Sequence, residues 1–267
     1  MNSTPTAIDI TSDRHVHTRL CNHATGEMEE YVLAAIARGL REIVFLEHLE
    51  IGINYSERTW LSTADFDYYF EECERLRRKY AGIIRIGSGV EVGYNSDCAT
   101  ELLEQLAARP WHSVGISCHF LLMTDSGRHL NLLSRRPDNI TTARRFGLER
   151  LLTLYFESLI RAVKILPGTF LCHLDAALRH VPELVLADSH VEQIDTLLAE
   201  VKKKGMALEL NTSGISMRNE IFPARQILTM ALGYDIPLQA GSDAHRPEDV
   251  GRFFETLPEL ITSAACP

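Results

Sequence analysis

The chain has 267 residues, 45% of them hydrophobic, and a formal net charge of −9. That is enough apolar sequence for one large α/β core. A negative balance without a Lys/Arg stripe argues against polymeric nucleic acid, whose phosphates need clustered cations, but not against a small phosphorylated ligand.

In chain order, the opening MNSTPTAIDI lacks the basic-then-apolar pattern of a secretory leader. A strand is predicted over 8–13 (IDITSD), running into SDRHVHTRLCNHATGE with His15, His17 and His23. A helix is expected over 27–39. A second strand covers 42–47 (EIVFLE), followed by His48. The next helix, 64–80, has Thr63 or Asp65 as candidate cap and Gly82 at its end. A third strand, 83–91, ends on Glu91. Its GSGVEVG stretch lacks the spacing of a dinucleotide fingerprint. After a helix over 98–108, a strand at 113–118 leads to His119. The polar stretch 120–140, with Gly127, Arg135, Arg136 and Pro137, reads as an active-site loop. Helix 141–165 carries a 3.6-residue apolar period. A strand over 169–173 ends at His173, and helix 190–204 closes at Gly205. Strand 206–211, helix 221–232, strand 237–242 and helix 248–261 complete the chain, with Asp243 and His245 after the last strand.

Strand–helix alternation repeated seven times predicts parallel strands with helices outside. A closed or nearly closed barrel suits seven units in 267 residues. A doubly wound open sheet is the alternative. No linker divides the chain, so 1–267 reads as one domain. No apolar run approaches the ~20 residues that span a bilayer. The six cysteines (Cys21, Cys73, Cys98, Cys118, Cys172, Cys266) form no C-x-x-C pair, which fits reduced thiols in a cytoplasmic protein. Strand alternation places Cys118 and Cys172 opposite their histidine neighbours, as buried core.

In parallel α/β folds the strand C-termini share one face, and that face carries the site. His15, His17, His23, His48, Glu91, His119, His173, Asp243 and His245 therefore converge on one mouth. Seven of the eleven histidines belong to this set. Neutral imidazole and carboxylate suit zinc, manganese or iron. Nine candidate ligands exceed one zinc site and imply two or three divalent ions, a geometry suited to phosphoryl transfer. His112, His129, His180 and His190 read as ordinary structural or surface residues. Arg218 and Arg246 offer planar forks for phosphate oxygens near the mouth, ahead of Arg135 and Arg136.

The ordered motifs Asp13-x-His15-x-His17, Leu46-Glu47-His48, Gly89-Val90-Glu91, Cys118-His119, Cys172-His173 and GSDAH at 241–245 resemble the polymerase and histidinol phosphatase (PHP) superfamily over essentially the whole chain. The resemblance implies a distorted (β/α)7 TIM-like barrel with a trinuclear metal site. His15, His17, Glu91 and Asp243 would hold one ion, Glu91, His119 and His173 the second, and His23, His48 and His245 the third. Glu91, Asp243 and His245 would be the catalytic residues. That superfamily usually has Asp before the second-strand histidine, where this chain has Glu47. The stretches HTRLCNHATGEMEEYVLAAIARGL, LELNTSGI, NEIFPARQIL and GSDAHRPEDVG are most similar to the monofunctional histidinol-phosphatases. The implied reaction is metal-assisted hydrolysis of L-histidinol phosphate, with the leaving-group proton from a metal-activated water or from Asp243. Another phosphoesterase of the superfamily, a nucleotide phosphatase or nuclease, is the alternative. A non-catalytic metal-binding regulatory domain would require missing ligand positions, and none is missing.

Overall fold

The computed structural model describes residues 8–265. Cys266 lies outside them. Seven parallel strands form one sheet: β1 (Ser12–Val16), β2 (Glu42–Glu50), β3 (Arg85–Gly93), β4 (Val114–Ser117), β7 (Phe170–Leu171), β8 (Ala207–Asn211) and β9 (Leu238–Gly241), neighbours in that order. The sheet closes on itself through a parallel bridge between Val16 and Ala244, where His17 N donates to Ala244 O at 2.9 Å. The fold is thus the expected TIM-like barrel of seven parallel strands, and the open sheet is excluded.

Several boundaries differ from the sequence reading. β1 starts later than 8–13 and contains His15, while β2 runs through His48 to Glu50. Both strands continue past the residues where apolar patterning stops, because polar side chains of the cluster and its support, His15 in β1 and His48 and Glu50 in β2, interrupt that pattern near their ends. The expected loop 120–140 holds an antiparallel hairpin, β5 (Phe120–Met123) with β6 (Arg128–Asn131). The single helix expected over 141–165 is two, α4 (Pro137–Phe146) and α5 (Leu148–Ile165). They break at Gly147, whose φ of +103° no helical residue adopts.

The remaining helices cover the outside: α1 (Met28–Ala37), α2 (Thr63–Lys79), α3 (Ala99–Ala107), α6 (Asp188–Lys203), α8 (Arg225–Gly233) and α9 (Leu257–Ala265). A short α7 (Ser213–Arg218), absent from the sequence reading, follows β8. The cap of α2 is Ser62, not Thr63 or Asp65. Its hydroxyl accepts from Asp65 N at 3.3 Å, and Asp65 Oδ2 accepts from Ser62 N at 2.7 Å, a reciprocal capping box. The main core lies between strands and helices, with Phe45, Phe66, Tyr69 and Phe156 in it.

A second, small cluster of Leu46, Phe170 and Cys172 packs separately from it. Leu46 precedes His48 by two strand positions and so shares its face. Cys172 therefore is not on the opposite face as alternation predicts. Its strand ends at Leu171, and φ of +21° at His173 breaks the alternation. Cys118 does lie in the outer core. The five cysteines among the described residues are all free. No helix there is long and apolar enough to cross a membrane.

Candidate metal centre

Glu91 sits at the middle of the strand C-terminal face, fully buried on β3. Its Oε2 lies 3.3 Å from His15 Nε2, 3.4 Å from His17 Nε2 and 3.0 Å from His48 Nδ1. Its Oε1 lies 3.0 Å from His119 Nε2 and 2.9 Å from His173 Nε2. One carboxylate thus divides five imidazoles between its two oxygens. Asp243 Oδ1 stands 3.4 Å from His17 Nε2 and 3.5 Å from His245 Nδ1. His23 meets His245 with their Nε2 atoms 2.8 Å apart. All nine residues singled out in the sequence come together. His23 is exposed, His245 half-buried and the other seven buried.

The donor set fits metal ions. His15 and His17 also face each other through Nε2 atoms at 2.8 Å. Two imidazole nitrogens at that distance can share one proton, whereas a cation satisfies both lone pairs. Buried Glu91 Oε2 and His48 Nδ1, although 3.0 Å apart, are not aligned for a hydrogen bond with each other and have no other such partner. Such orphans are rare in the absence of a ligand role. The triplets His15–His17–Asp243, His15–Glu91–His173 and His17–His48–His245 each offer ligand atoms within 4.8 Å of one another. Cys172 is close enough to join His15 and Glu209 in a further triplet, but burial holds its thiol far above its ordinary pKa.

The electrostatics reflect this crowding. Burial opposes charge on His119, yet Glu91 and Glu50 lift it to about 10. Partial enclosure of its otherwise exposed ring, with His245 and His48 beside it, pushes His23 down to about 3. Burial raises Asp243, but His17, His15 and His245 outweigh it and hold this carboxyl well below the usual carboxylate range. Asp243 is therefore charged in the folded protein.

A supporting layer orients the cluster, and most of it escaped the sequence reading. Glu209, buried on β8, accepts from His15 Nδ1 at 2.6 Å and from the backbone N of His173 at 2.8 Å. The second bond secures His173 in its left-handed backbone conformation. Any Cβ at Gly241 would collide with the Glu209 carboxylate and His15, so the close approach of β9 requires glycine there. Glu50 accepts from His119 Nδ1 at 2.6 Å. Asp13 accepts from Ser242 N at 3.0 Å and Gly251 N at 2.8 Å, tying β1 to the loop that carries Asp243 and His245. Glu47 does not touch His48. Its Oε1 accepts from the N and Oγ1 of Thr18, at 2.9 and 2.6 Å, and fixes the turn between His17 and His23. Burial pushes Glu47 up to about 8.

The cluster floors a cavity of about 560 Å³. Two arginines expected near the mouth do not line it. Arg218 instead donates to Asp175 Oδ2 at 2.7 Å and stacks on Phe222 at 4.1 Å. Arg246 is exposed and also absent from the wall. Arg135 and Arg136 do line the cavity, as does His180, and so does Arg179, which the sequence reading passed over. Arg179 is almost buried, its Nη1 is 3.8 Å from Asp243 Oδ2, and its Nε and Nη1 have no hydrogen-bond partner. The preceding Leu178 adopts φ of +58°, a conformation rare for leucine that precedes the turn of Arg179 to the cavity.

A family described as PHP domain matches residues 13–213, and one described as PHP-associated matches 224–265. The chain belongs to the PHP domain family. The PHP-associated part supplies β9, Asp243 and His245, and so completes the barrel and the cluster. A histidinol-phosphatase of Bacillus subtilis is 26% identical over 92% of this chain and 98% of its own length. A Listeria monocytogenes structure superposes with a TM-score of 0.82 at 24% identity, covering 92% of this chain and 99% of that one. The histidinol phosphate phosphatase of Lactococcus lactis, solved with zinc, L-histidinol and phosphate, superposes with a TM-score of 0.78 at 20% identity. It covers 97% of this chain and 95% of that one.

Proposed function

We propose that this PHP protein is a metal-dependent phosphomonoesterase that hydrolyses L-histidinol phosphate to L-histidinol and phosphate, acting as one domain over 1–267. The carrying observation is the convergence of nine imidazole and carboxylate groups, seven of them lining one cavity together with the nearly buried Arg179, two of whose nitrogens lack a hydrogen bond. The naming of full-length relatives as histidinol-phosphatases supports the substrate.

His15, His17, Glu91 and Asp243 would hold one ion, Glu91, His119 and His173 a second, and His23, His48 and His245 a third. When bound, divalent zinc, iron or manganese would supply Lewis-acid polarisation of water and of the phosphoryl oxygens. Arg179 presents guanidinium donors to the phosphate and neutralises its charge. The departing alkoxide would take its proton from a metal-activated water or from Asp243 after that carboxylate has received one from the attacking water. Glu91 keeps five imidazoles in register for both steps.

A substrate panel tests this reading: L-histidinol phosphate, nucleotides, an aryl phosphate and single-stranded DNA. L-Histidinol phosphate should lead in kcat/KM by orders of magnitude, since binding energy remote from phosphorus can lower the barrier there. Chelation should abolish the activity, and elemental analysis should return two or three transition-metal ions per chain. Equal rates on all monoesters, or full activity in chelator, would contradict it.

A further inference from the structure

The histidine cluster and the arginines account for only part of the cavity's lining. Tyr55, Glu57 and Thr59, from the segment after β2, and Phe120 and Asn131 of the hairpin line the cavity alongside the histidine cluster. The rings of Tyr55 and Phe120 lie 5.2 Å apart, with Trp60 edge-on to Phe120 at 5.8 Å. Three carboxylates line the whole cavity: Glu57, Glu91 and Asp243. Two of these belong to the histidine cluster. Glu57 is left over, and it pairs with Arg136, Oε1 to Nη2 at 2.7 Å, each side chain half exposed. Solvated pairs of this kind exchange partners at little cost.

The proposed substrate carries an ammonium group and an imidazole ring beyond its ester. We infer that Glu57 receives the ammonium group in exchange for Arg136, and that the Tyr55–Phe120 wall takes the imidazole ring. Charge assigns the partners: the ammonium is the substrate's fixed cation, and Glu57 is the one cavity carboxylate outside the cluster. The planar ring suits the aromatic wall, which offers faces and edges rather than charge. These contacts make Glu57 and Tyr55 specificity-determining residues, an inference that rests on the histidinol-phosphatase reading.

The test compares L-histidinol phosphate with its analogue lacking the amine, on metal-loaded wild type, Glu57→Gln, Glu57→Asp and Tyr55→Ala. Calorimetric binding of L-histidinol gives a second readout. Glu57→Gln should lower the ratio of the two kcat/KM values by ~10–100-fold, the range for loss of one hydrogen bond between charged groups. It should weaken L-histidinol binding by a similar factor and leave the analogue's kinetics unchanged, with partial recovery in Glu57→Asp. Tyr55→Ala should weaken both substrates alike while inhibition by inorganic phosphate stays constant. An unmoved ratio in Glu57→Gln, or an equal fall for both substrates, would overturn the role of Glu57 with wild-type activity intact. Unaltered kinetics in Tyr55→Ala would remove the ring wall. A wild type inactive on L-histidinol phosphate would overturn the proposed function, and this inference with it.

Discussion

Replacing Arg179 by Met should move activity and stability in opposite directions. The guanidinium is nearly buried, its nearest carboxylate is 3.8 Å away, and two of its nitrogens have no hydrogen-bond partner. Burial holds it below its ordinary pKa, so its charge is costly in the unliganded fold. Replacing a whole buried ion pair by apolar residues is often neutral or stabilising, by about 1–4 kcal/mol, whereas removing one member destabilises when it strands the other. Asp243 keeps His17 and His245 at 3.4 and 3.5 Å, so loss of the more distant Arg179 does not strand it. For a chain of this size each kcal/mol shifts Tm by roughly 2–4 °C. The expected Tm therefore holds or rises by several degrees. Catalysis should lose at least one charge-assisted bond to phosphate, about 1.5–3 kcal/mol, or roughly 10–100-fold in kcat/KM.

Thermal melts of the metal-loaded protein without phosphate, paired with steady-state kinetics and phosphate inhibition, measure both sides. Arg179→Lys refines the result, since Lys keeps the charge but loses the planar fork. Contact made equally in ground and transition states raises KM alone; contact made only as charge develops lowers kcat. A fall in Tm of several degrees with unchanged phosphate inhibition would refute the reasoning. It would show that Arg179 is a structural partner of Asp243.

Arg218→Ala should do the reverse, lowering Tm through loss of the Asp175 bond and the Phe222 stack while KM stays within about two-fold. Glu209→Gln keeps the size of the side chain but removes the charge facing His15 and His173. Metal titration should show affinity lowered by about 10–100-fold, and unchanged affinity would exclude the orienting role. Glu47→Gln tests a buried acid whose pKa rises from 4.5 to about 8 on folding. The native protein keeps a proton that the unfolded chain releases above pH 4.5, so the wild type loses stability as pH climbs towards 8. Gln does not titrate, so denaturant unfolding should show its advantage over wild type growing from pH 5 to pH 9. A pH-independent difference would mean that Glu47 is not buried as a neutral acid.

The barrel was legible because its signals are local and repeated. Most strands carry an apolar run and most helices a 3.6-residue period, and parallel alternation then brings the strand ends to one face. The nine cluster residues followed from that topology without any knowledge of side-chain direction. Direction is where sequence reasoning failed. Arg246 was placed at the mouth as the neighbour of His245, but adjacent residues on an extended segment point apart. Cys172 was placed on the face opposite His173 by the same rule, which the backbone at His173 breaks. Arg179 lies on a segment between β7 and α6 without regular structure, so no period could orient it.

The misjudged strand ends have a common physical cause. Apolar patterning ends a strand at its first buried polar residue, yet in β2 the backbone pairing with β3 continues through His48 to Glu50. Those last inward positions are where the barrel opens to its cavity. Glu50 stands two residues after His48 on the same face, and its carboxylate orients His119 across the sheet. Glu209 likewise interrupts an apolar strand, between Leu208 and Leu210. Both are ionisable groups buried where burial is expensive, and both are held by imidazoles that the cluster needs in one orientation. A polar residue that violates strand patterning near a strand end is therefore itself a signal. Applied to this chain, that rule finds Glu50 and Glu209 from sequence, while Arg179 still requires the structure.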